Sequence, residues 1–294
     1  MKKVIWLSLC VIVFINNLNA QQNTQEFPKL TGPYLGQKLP GTTPQKFAPG
    51  IISTDAHEYA CSFSPDGIEL YFTRDNKVTF TQQKAGIWTE PKVVSFSGNF
   101  SFEPSVAPDN KRLYFQTAGI INGKMEMMTK YIERVEGGWS EAMDPGAPFN
   151  PGKTMHISAT LEGTIYTTDI SGGMGSESLG IIKKVNGSYE KLEKLGTPFN
   201  KEPNQQHPWI APDESYIVFT VRKPGQNQGS ALYCSFKSKN GKWSEPVELM
   251  LGMDAGQPFI SFDGKYLFFT TGDPRVGSDI YWVSAKIIEE LRLK

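Results

Sequence analysis

The chain has 294 residues, with 30 Lys+Arg against 30 Asp+Glu and 39% apolar residues. That is enough for a large folded core. A net charge of zero excludes a polyelectrolyte tail as the main theme and argues against a nucleic-acid binder, whose footprint is a basic patch or a high pI.

Met1–Lys3 is a short basic start, Val4–Ile15 an almost unbroken apolar run, and Asn16–Ala20 a polar stretch ending in a small residue. This order is that of a secretory signal peptide over residues 1–20, cut before Gln21. The apolar run is too short to span a bilayer, and no later stretch is long enough. The expected location is the periplasm or the exterior. Leu9 before Cys10 is bulky where a lipoprotein signal wants a small residue. Removal of Lys2 and Lys3 leaves a net charge of −2 and two cysteines, Cys61 and Cys234. They are either buried thiols or one long-range disulfide. Residues 21–45 are rich in Gln, Pro and Gly, and are expected to run loosely over the surface.

From residue 46 the sequence repeats. Ser64-Pro65-Asp66-Gly67 leads into Leu70-Tyr71-Phe72-Thr73, and Ala107-Pro108-Asp109-Asn110 into Leu113-Tyr114-Phe115. Leu161-Glu162-Gly163 leads into Ile165-Tyr166-Thr167, Ala211-Pro212-Asp213-Glu214 into Ile217-Val218-Phe219-Thr220, and Ser261-Phe262-Asp263-Gly264 into Leu267-Phe268-Phe269-Thr270. The acids at 66, 109, 162, 213 and 263 are 43, 53, 51 and 50 residues apart, a period of solenoids and propellers. They are hairpin residues, since Asp-Gly and Asn suit a tight turn.

A second marker recurs in four of the five units, in Trp88-Thr89-Glu90-Pro91, Trp139-Ser140-Glu141, Tyr189-Glu190 and Trp243-Ser244-Glu245-Pro246. Each unit reads as four antiparallel strands, A to D, and so as one propeller blade. The fifth unit lacks strand D after Ser284. Phe47–Ile52 precedes the first strand A much as Pro246–Met250 precedes the last. The prediction is an all-β, single-domain, five-bladed propeller over residues 46–294, its ring closed by an N-terminal strand, with no exposed edge left at the seam.

The pattern [FVI]-[SA]-P-D-[GN]-x-x-[LI]-[YV]-F resembles the TolB-type, WD-like propeller repeat over roughly residues 46–284. The third copy, without Pro-Asp, departs most. The resemblance implies the fold and leaves function open, because such repeats serve scaffolds, peptidase gating domains and carbohydrate-active enzymes alike.

In a propeller, strand A lines the channel, and the D–A and B–C loops share one face. All three histidines fall on the approach to strand A. His156 and His207 stand six residues before Glu162 and Asp213, and His57 nine before Asp66. At the same offset of six stand Glu103 and Gln257. Superposed repeats put Glu103, His156, His207 and Gln257 in an arc at one channel mouth, with His57 and Glu58 beside them. Imidazoles converging with a carboxylate suit a divalent metal or a general acid/base pair. His156, His207 and Glu103 are the catalytic candidates. Glu103 with Glu58 is a hydrolytic variant, and His207 with His57 a metal pair. Arg74 and Arg222 follow the B strands, Arg275 lies in a B–C loop, and Lys153 and Lys201 in D–A segments. With Gln257 they would ring that face and meet an anionic ligand. Tyr59, Phe102, Trp209 and Phe259 flank the slot, open to packing between blades or to stacking on sugar rings. Trp209 is the binding candidate among them.

Gln205-Gln206-His207-Pro208-Trp209 is similar to the metal-ligand segment of propeller-type oligogalacturonate lyase, which implies His207 as a ligand and an acidic sugar as substrate class. The second His of that segment is Gln205 here, and that family has more blades. No phosphate-binding glycine loop or Gly-x-Ser-x-Gly elbow appears, and Ser171–Ser176 reads as a flexible loop rim. Two function classes follow. One is an enzyme that eliminates or dehydrates acidic, uronate-containing oligosaccharides as a monomer. The other is a noncatalytic binding or scaffold propeller of the cell envelope, of the TolB kind.

Overall fold

The computed structural model describes residues 26–173, 175–201, 204–223, 229–273 and 277–292. The signal-peptide reading and Arg275 fall outside the described residues. The first strand, β1 (Gln45–Lys46), is followed by blade 1, formed by β2 (Glu58–Phe63), β3 (Glu69–Arg74), β4 (Lys77–Lys84), β5 (Ile87–Trp88) and β6 (Lys92–Val93). Blade 2 is β7 (Phe102–Val106), β8 (Arg112–Ile121), β9 (Lys124–Val135) and β10 (Gly138–Trp139). Blade 3 is β11 (Thr154–Ala159), β12 (Ile165–Asp169) and β13 (Ser178–Ile182), then a hairpin of β14 (Lys184–Val185) and β15 (Ser188–Tyr189), and β16 (Glu193–Lys194). Blade 4 is β17 (Gln205–Ile210), β18 (Tyr216–Arg222), β19 (Ser230–Phe236) and β20 (Val247–Glu248). Blade 5 is β21 (Gly256–Ile260), β22 (Tyr266–Asp273) and β23 (Gly277–Ser284), followed by the helix α1 (Lys286–Arg292).

The five-bladed ring closes as the sequence predicts. Gln45 and Lys46 pair antiparallel with Trp282 and Tyr281, so β1 supplies the fourth strand of blade 5. The turn acids act within their own hairpins. Asp109 accepts from the Lys111 N–H, Asp213 from Ser215 and Asp263 from Lys265, at 3.0 to 3.1 Å. The third hairpin, without Pro-Asp, is held by Thr160, whose hydroxyl accepts the Thr164 N–H at 3.1 Å.

The core lies between blades. Trp88, Trp282, Phe268 and Phe269 are buried there, together with both cysteines, which are free thiols. One expectation fails. The segment before β1 is not loose over its described residues. Leu35 is fully buried, Tyr34 packs edge-on against Phe63 and Tyr266, and the Trp88 indole N–H donates to the Gly32 carbonyl at 2.8 Å. Two apolar residues in a polar stretch were enough to dock it.

Candidate active site

The first strand of every blade carries a bulge at one point. Register shifts fall between Tyr59 and Ser62, Phe102 and Ser105, Met155 and Ile157, Gln206 and Trp209, and Gly256 and Phe259. Within each bulge one residue takes a left-handed backbone: Ala60, Glu103, His156, His207 and Gln257, with φ of 47°, 53°, 56°, 50° and 50°. A left-handed residue other than glycine is uncommon and costs roughly 1–3 kcal/mol. Five at equivalent positions form a repeated device, and bulges re-aim side chains.

The device has a fixed partner. The backbone N–H of the bulged residue donates to a threonine hydroxyl on the second strand of the preceding blade. Thr73 accepts from Glu103 at 2.9 Å, Thr168 from His207 at 2.8 Å, Thr220 from Gln257 at 3.0 Å, and Thr270 from Ala60 at 3.0 Å. At the seam of blades 2 and 3 the equivalent residue is Gln116, whose buried Nε2 has no hydrogen-bond partner among the described residues. Sequence reasoning passed over these threonines, although the repeated Phe-Thr ending the Leu-Tyr-Phe runs was a visible signal.

The predicted arc is present. Glu103, His156, His207 and Gln257 are 3%, 7%, 8% and 8% exposed, so they meet as buried side chains. His207 Nε2 lies 3.2 Å from Glu103 Oε1, and the Gln257 amide donates to the same oxygen at 2.9 Å. His156 Nδ1 is 3.8 Å from Glu103 Oε2, beyond a hydrogen bond, and the two imidazoles meet edge to face with centroids 5.5 Å apart. Glu103 thus reaches a neighbouring blade and two blades across the ring. The fifth slot holds Ala60, packed with Tyr59, Phe102 and Met127.

The electrostatics follow from this geometry. Burial pushes the Glu103 carboxyl up, but His207, His156 and Gln257 outweigh it and hold it below the usual carboxylate range. Burial drives His156 down to about 4, against the opposing pull of Glu103. The site pairs an ionised carboxylate with an imidazole that stays neutral across ordinary pH. Glu103 Oε2, His156 Nδ1 and His207 Nδ1 are buried without hydrogen-bond partners among the described residues. Each such atom costs about 1–3 kcal/mol unless water or a ligand meets it.

The remaining candidates fall elsewhere. His57 is not in the slot. It precedes β2, with its N–H on Asp75 Oδ1 at 3.2 Å, and Ala60 takes its place in the ring. Glu58 is wholly buried, accepting from the Thr54 N–H and hydroxyl and from Arg74 Nε at 2.8 Å. The Arg74 guanidinium also donates to the Ile51 carbonyl at 2.8 Å. This pair is structural, which removes Arg74 as a ligand-binding fork and Glu58 as a second hydrolytic acid. Trp209 is buried against Tyr216 and offers no platform for a sugar ring. Lys201 is paired with Glu245 at 2.7 Å. Lys153 and Arg222 are exposed, just before β11 and at the end of β18, on the side of the ring where the slot lies.

Among the described residues no three His, Cys, Asp or Glu side chains converge as a coordination shell. His207 spends Nε2 on Glu103, and His57 lies outside the slot.

No protein-family model matches the chain, and no curated protein sequence matches it. Solved structures do. A protein of Agrobacterium tumefaciens assigned to TolB is 15% identical with a TM-score of 0.51, over 79% of this chain and 78% of its own. An α-L-arabinofuranosidase of Lactobacillus brevis is 15% identical with a TM-score of 0.51, over 77% and 90%. An α-L-arabinofuranosidase of Podospora anserina, solved with cellotriose, is 8% identical with a TM-score of 0.51, over 87% and 96%. The fold is that of a TolB-like propeller. Among the described residues no helix is long and apolar enough to cross a membrane.

Proposed function

We propose that this protein is a periplasmic or secreted carbohydrate-active enzyme that acts on acidic oligosaccharides by elimination or dehydration at the channel mouth. One observation carries the reading: Glu103, His156 and His207, from three blades, converge in the channel with buried polar atoms that have no hydrogen-bond partner among the described residues. Hydrolysis by the usual route needs two carboxyl groups flanking the bond. Among the described residues Glu103 is the carboxylate of the slot, because Glu58 is paired with Arg74. Proton abstraction next to a carboxylate needs one base and one acid. His156, unprotonated at neutral pH, takes the proton from the carbon beside the substrate carboxylate. The carbon–oxygen bond breaks as the double bond forms. His207, 3.2 Å from Glu103, gives a proton to the departing oxygen, and the proton taken up by His156 passes to solvent when the site resets. Lys153 and Arg222 supply positive charge for the substrate carboxylate. Gln257 and Thr73 hold Glu103 in place through its carboxylate and its backbone N–H.

The test is mass spectrometry of uronate-containing oligosaccharides, sulfated ones included, after incubation with the purified protein. Loss of water without chain cleavage identifies a dehydratase, and shortened unsaturated products identify a lyase. Glu103→Gln and His156→Ala should abolish either outcome while the propeller remains folded. Unchanged substrate across the panel, with and without divalent metal, refutes the enzyme reading. The second reading is then a binding propeller, favoured by the near-complete burial of the four slot side chains.

A further inference from the structure

The repeats allow one seam of the ring to be compared with the next. Between blades 1 and 2, Trp139 lies against Tyr71, and its indole N–H donates to the Tyr71 hydroxyl at 2.7 Å. Arg134, the cross-strand partner of Trp139, covers the indole at 3.7 Å and forms a two-pronged ion pair with Glu69 at 3.0 and 2.7 Å. The seam is filled and neutral.

Between blades 2 and 3 the tyrosine of that arrangement is kept and its other elements change. Tyr189 stands where the marker tryptophan would be, with Lys184 as its cross-strand partner in the place of Arg134. Tyr114 replaces Tyr71, and Arg112 opens β8 where Glu69 opens β3. The acid of one seam is thus a second cation in the next. The smaller phenol leaves a cleft of about 220 Å³, lined by Arg112, Lys184, Tyr114, Tyr131 and Tyr189 together with Phe149 and two loop residues. None of the slot residues lines it. The two phenol oxygens are 3.4 Å apart, a weak contact that leaves both hydroxyls with hydrogen-bonding capacity. Tyr114 is buried, so its hydroxyl stays protonated and able to donate.

The charge in the cleft is not balanced. Arg112 reaches Glu133 at 2.7 Å, while Lys184 has no acidic partner among the described residues and lies over the Tyr189 ring at 5.7 Å. Its stem crosses the turn of the third repeat, the copy that lacks Pro-Asp. A Cβ on Gly163 would come within 2.9 Å of Lys184 Cδ, and Gly163 has φ +85°, so this turn clears the path of the lysine. One lysine without an acidic partner, the unspent face of an arginine already paired with Glu133, two phenol hydroxyls and aromatic walls match a small oxyanion carried on a ring, with Lys184 supplying the net charge and the rings a stacking surface. The volume lies below that of an ordinary drug-sized pocket, which limits the ligand to one small unit.

We propose that the seam between blades 2 and 3 is an anion-binding site, separate from the channel mouth, for a carboxylate or sulfate group, free or borne on a single sugar unit. It does not depend on catalysis at the mouth.

The test is calorimetric titration of the purified protein at low salt with glucuronate, inorganic sulfate and glucose. Glucuronate or sulfate should bind and glucose should not. Lys184→Met should weaken anion binding about tenfold or more. Tyr189→Trp, which restores the marker of the other blades and fills the cleft, should abolish it with the fold intact. Tighter binding of glucuronate than of sulfate assigns the site to a sugar acid, and equal binding to a free oxyanion. Both outcomes support the site. Glu103→Gln serves as the control and should leave anion binding unchanged. Absence of binding by either anion overturns the proposal, as does binding that survives both seam substitutions. A loss of binding in Glu103→Gln alone would move the site to the mouth.

Discussion

The titration of His156 can be read from the folding equilibrium without knowing a substrate. Burial, against the opposing charge of Glu103, lowers this imidazole from its ordinary 6.5 to about 4. Above pH 6.5 neither the folded nor the unfolded chain binds a proton here. As the pH falls below 6.5 the unfolded chain takes one up and the folded chain does not, so folding stability drops until about pH 4 and then levels. Linkage gives a loss of about 2 kcal/mol between pH 7 and pH 5 from this one group. Glu103 acts with the same sign in a lower window. Its folded pKa is depressed, so its contribution is present above the ordinary carboxylate range and fades as the pH falls through the folded value. Comparison of pH 7 with pH 5 therefore separates the imidazole from the carboxylate. The assay is urea unfolding of wild type and His156→Gln at the two pH values. The wild type should lose about 2 kcal/mol more than the variant on acidification. An equal loss in both proteins would refute the claim that His156 is held neutral in the channel.

Three further outcomes are expected. Arg74→Met leaves the wholly buried Glu58 without its guanidinium and should destabilise the fold by about 3–5 kcal/mol in chemical unfolding, with turnover per folded molecule unchanged. Leu35→Ala should cost about 2–5 kcal/mol by the same measure, because this residue of the N-terminal segment is fully buried in the core. Cys61 and Cys234 should resist a thiol reagent in the native protein and react once it is unfolded. Both are buried, and burial pushes the Cys234 thiol up to about 12.

The propeller was legible because its signals are local and repeated. A turn acid, a Leu-Tyr-Phe run and a Trp marker each report on a few consecutive residues, and five copies average out the departures of any one. The offset of six residues also placed Glu103, His156, His207 and Gln257 correctly, since equal distance from an equivalent turn along a strand means an equivalent place in the ring. The failures arose where a residue's partner comes from elsewhere in the chain. Arg74 and Glu58 are 16 residues apart in sequence and cross-strand partners in space. Nothing in either residue alone shows that each satisfies the other. His57, three residues short of the slot, shows how narrow the offset rule is: a displacement of that size moves a side chain from the channel to the segment before the strand.

The threonine ring explains why the slot can hold such different side chains. Each bulged residue pays for its left-handed backbone with an N–H that points to the preceding blade, and four of the five find a threonine hydroxyl there. That bond uses only the backbone, so Ala60, Glu103, His207 and Gln257 are held in the same way whatever they carry. The ring architecture and the chemistry of the mouth are thereby uncoupled. Side chains at the slot can change from blade to blade without loosening the seam, which is the condition for assembling an asymmetric constellation on a repeated scaffold. The exception is instructive. At the seam of blades 2 and 3 Gln116 replaces threonine, its amide nitrogen has no partner among the described residues, and the adjoining slot residue is His156, whose titration burial pushes down. The same seam also replaces the Arg134–Glu69 pair by Lys184 and by Arg112, which pairs with Glu133 instead. Departure from the repeat is therefore concentrated at one interface, and Gln116→Thr gives a direct measure of it: a variant that regains the threonine should fold with equal or greater stability.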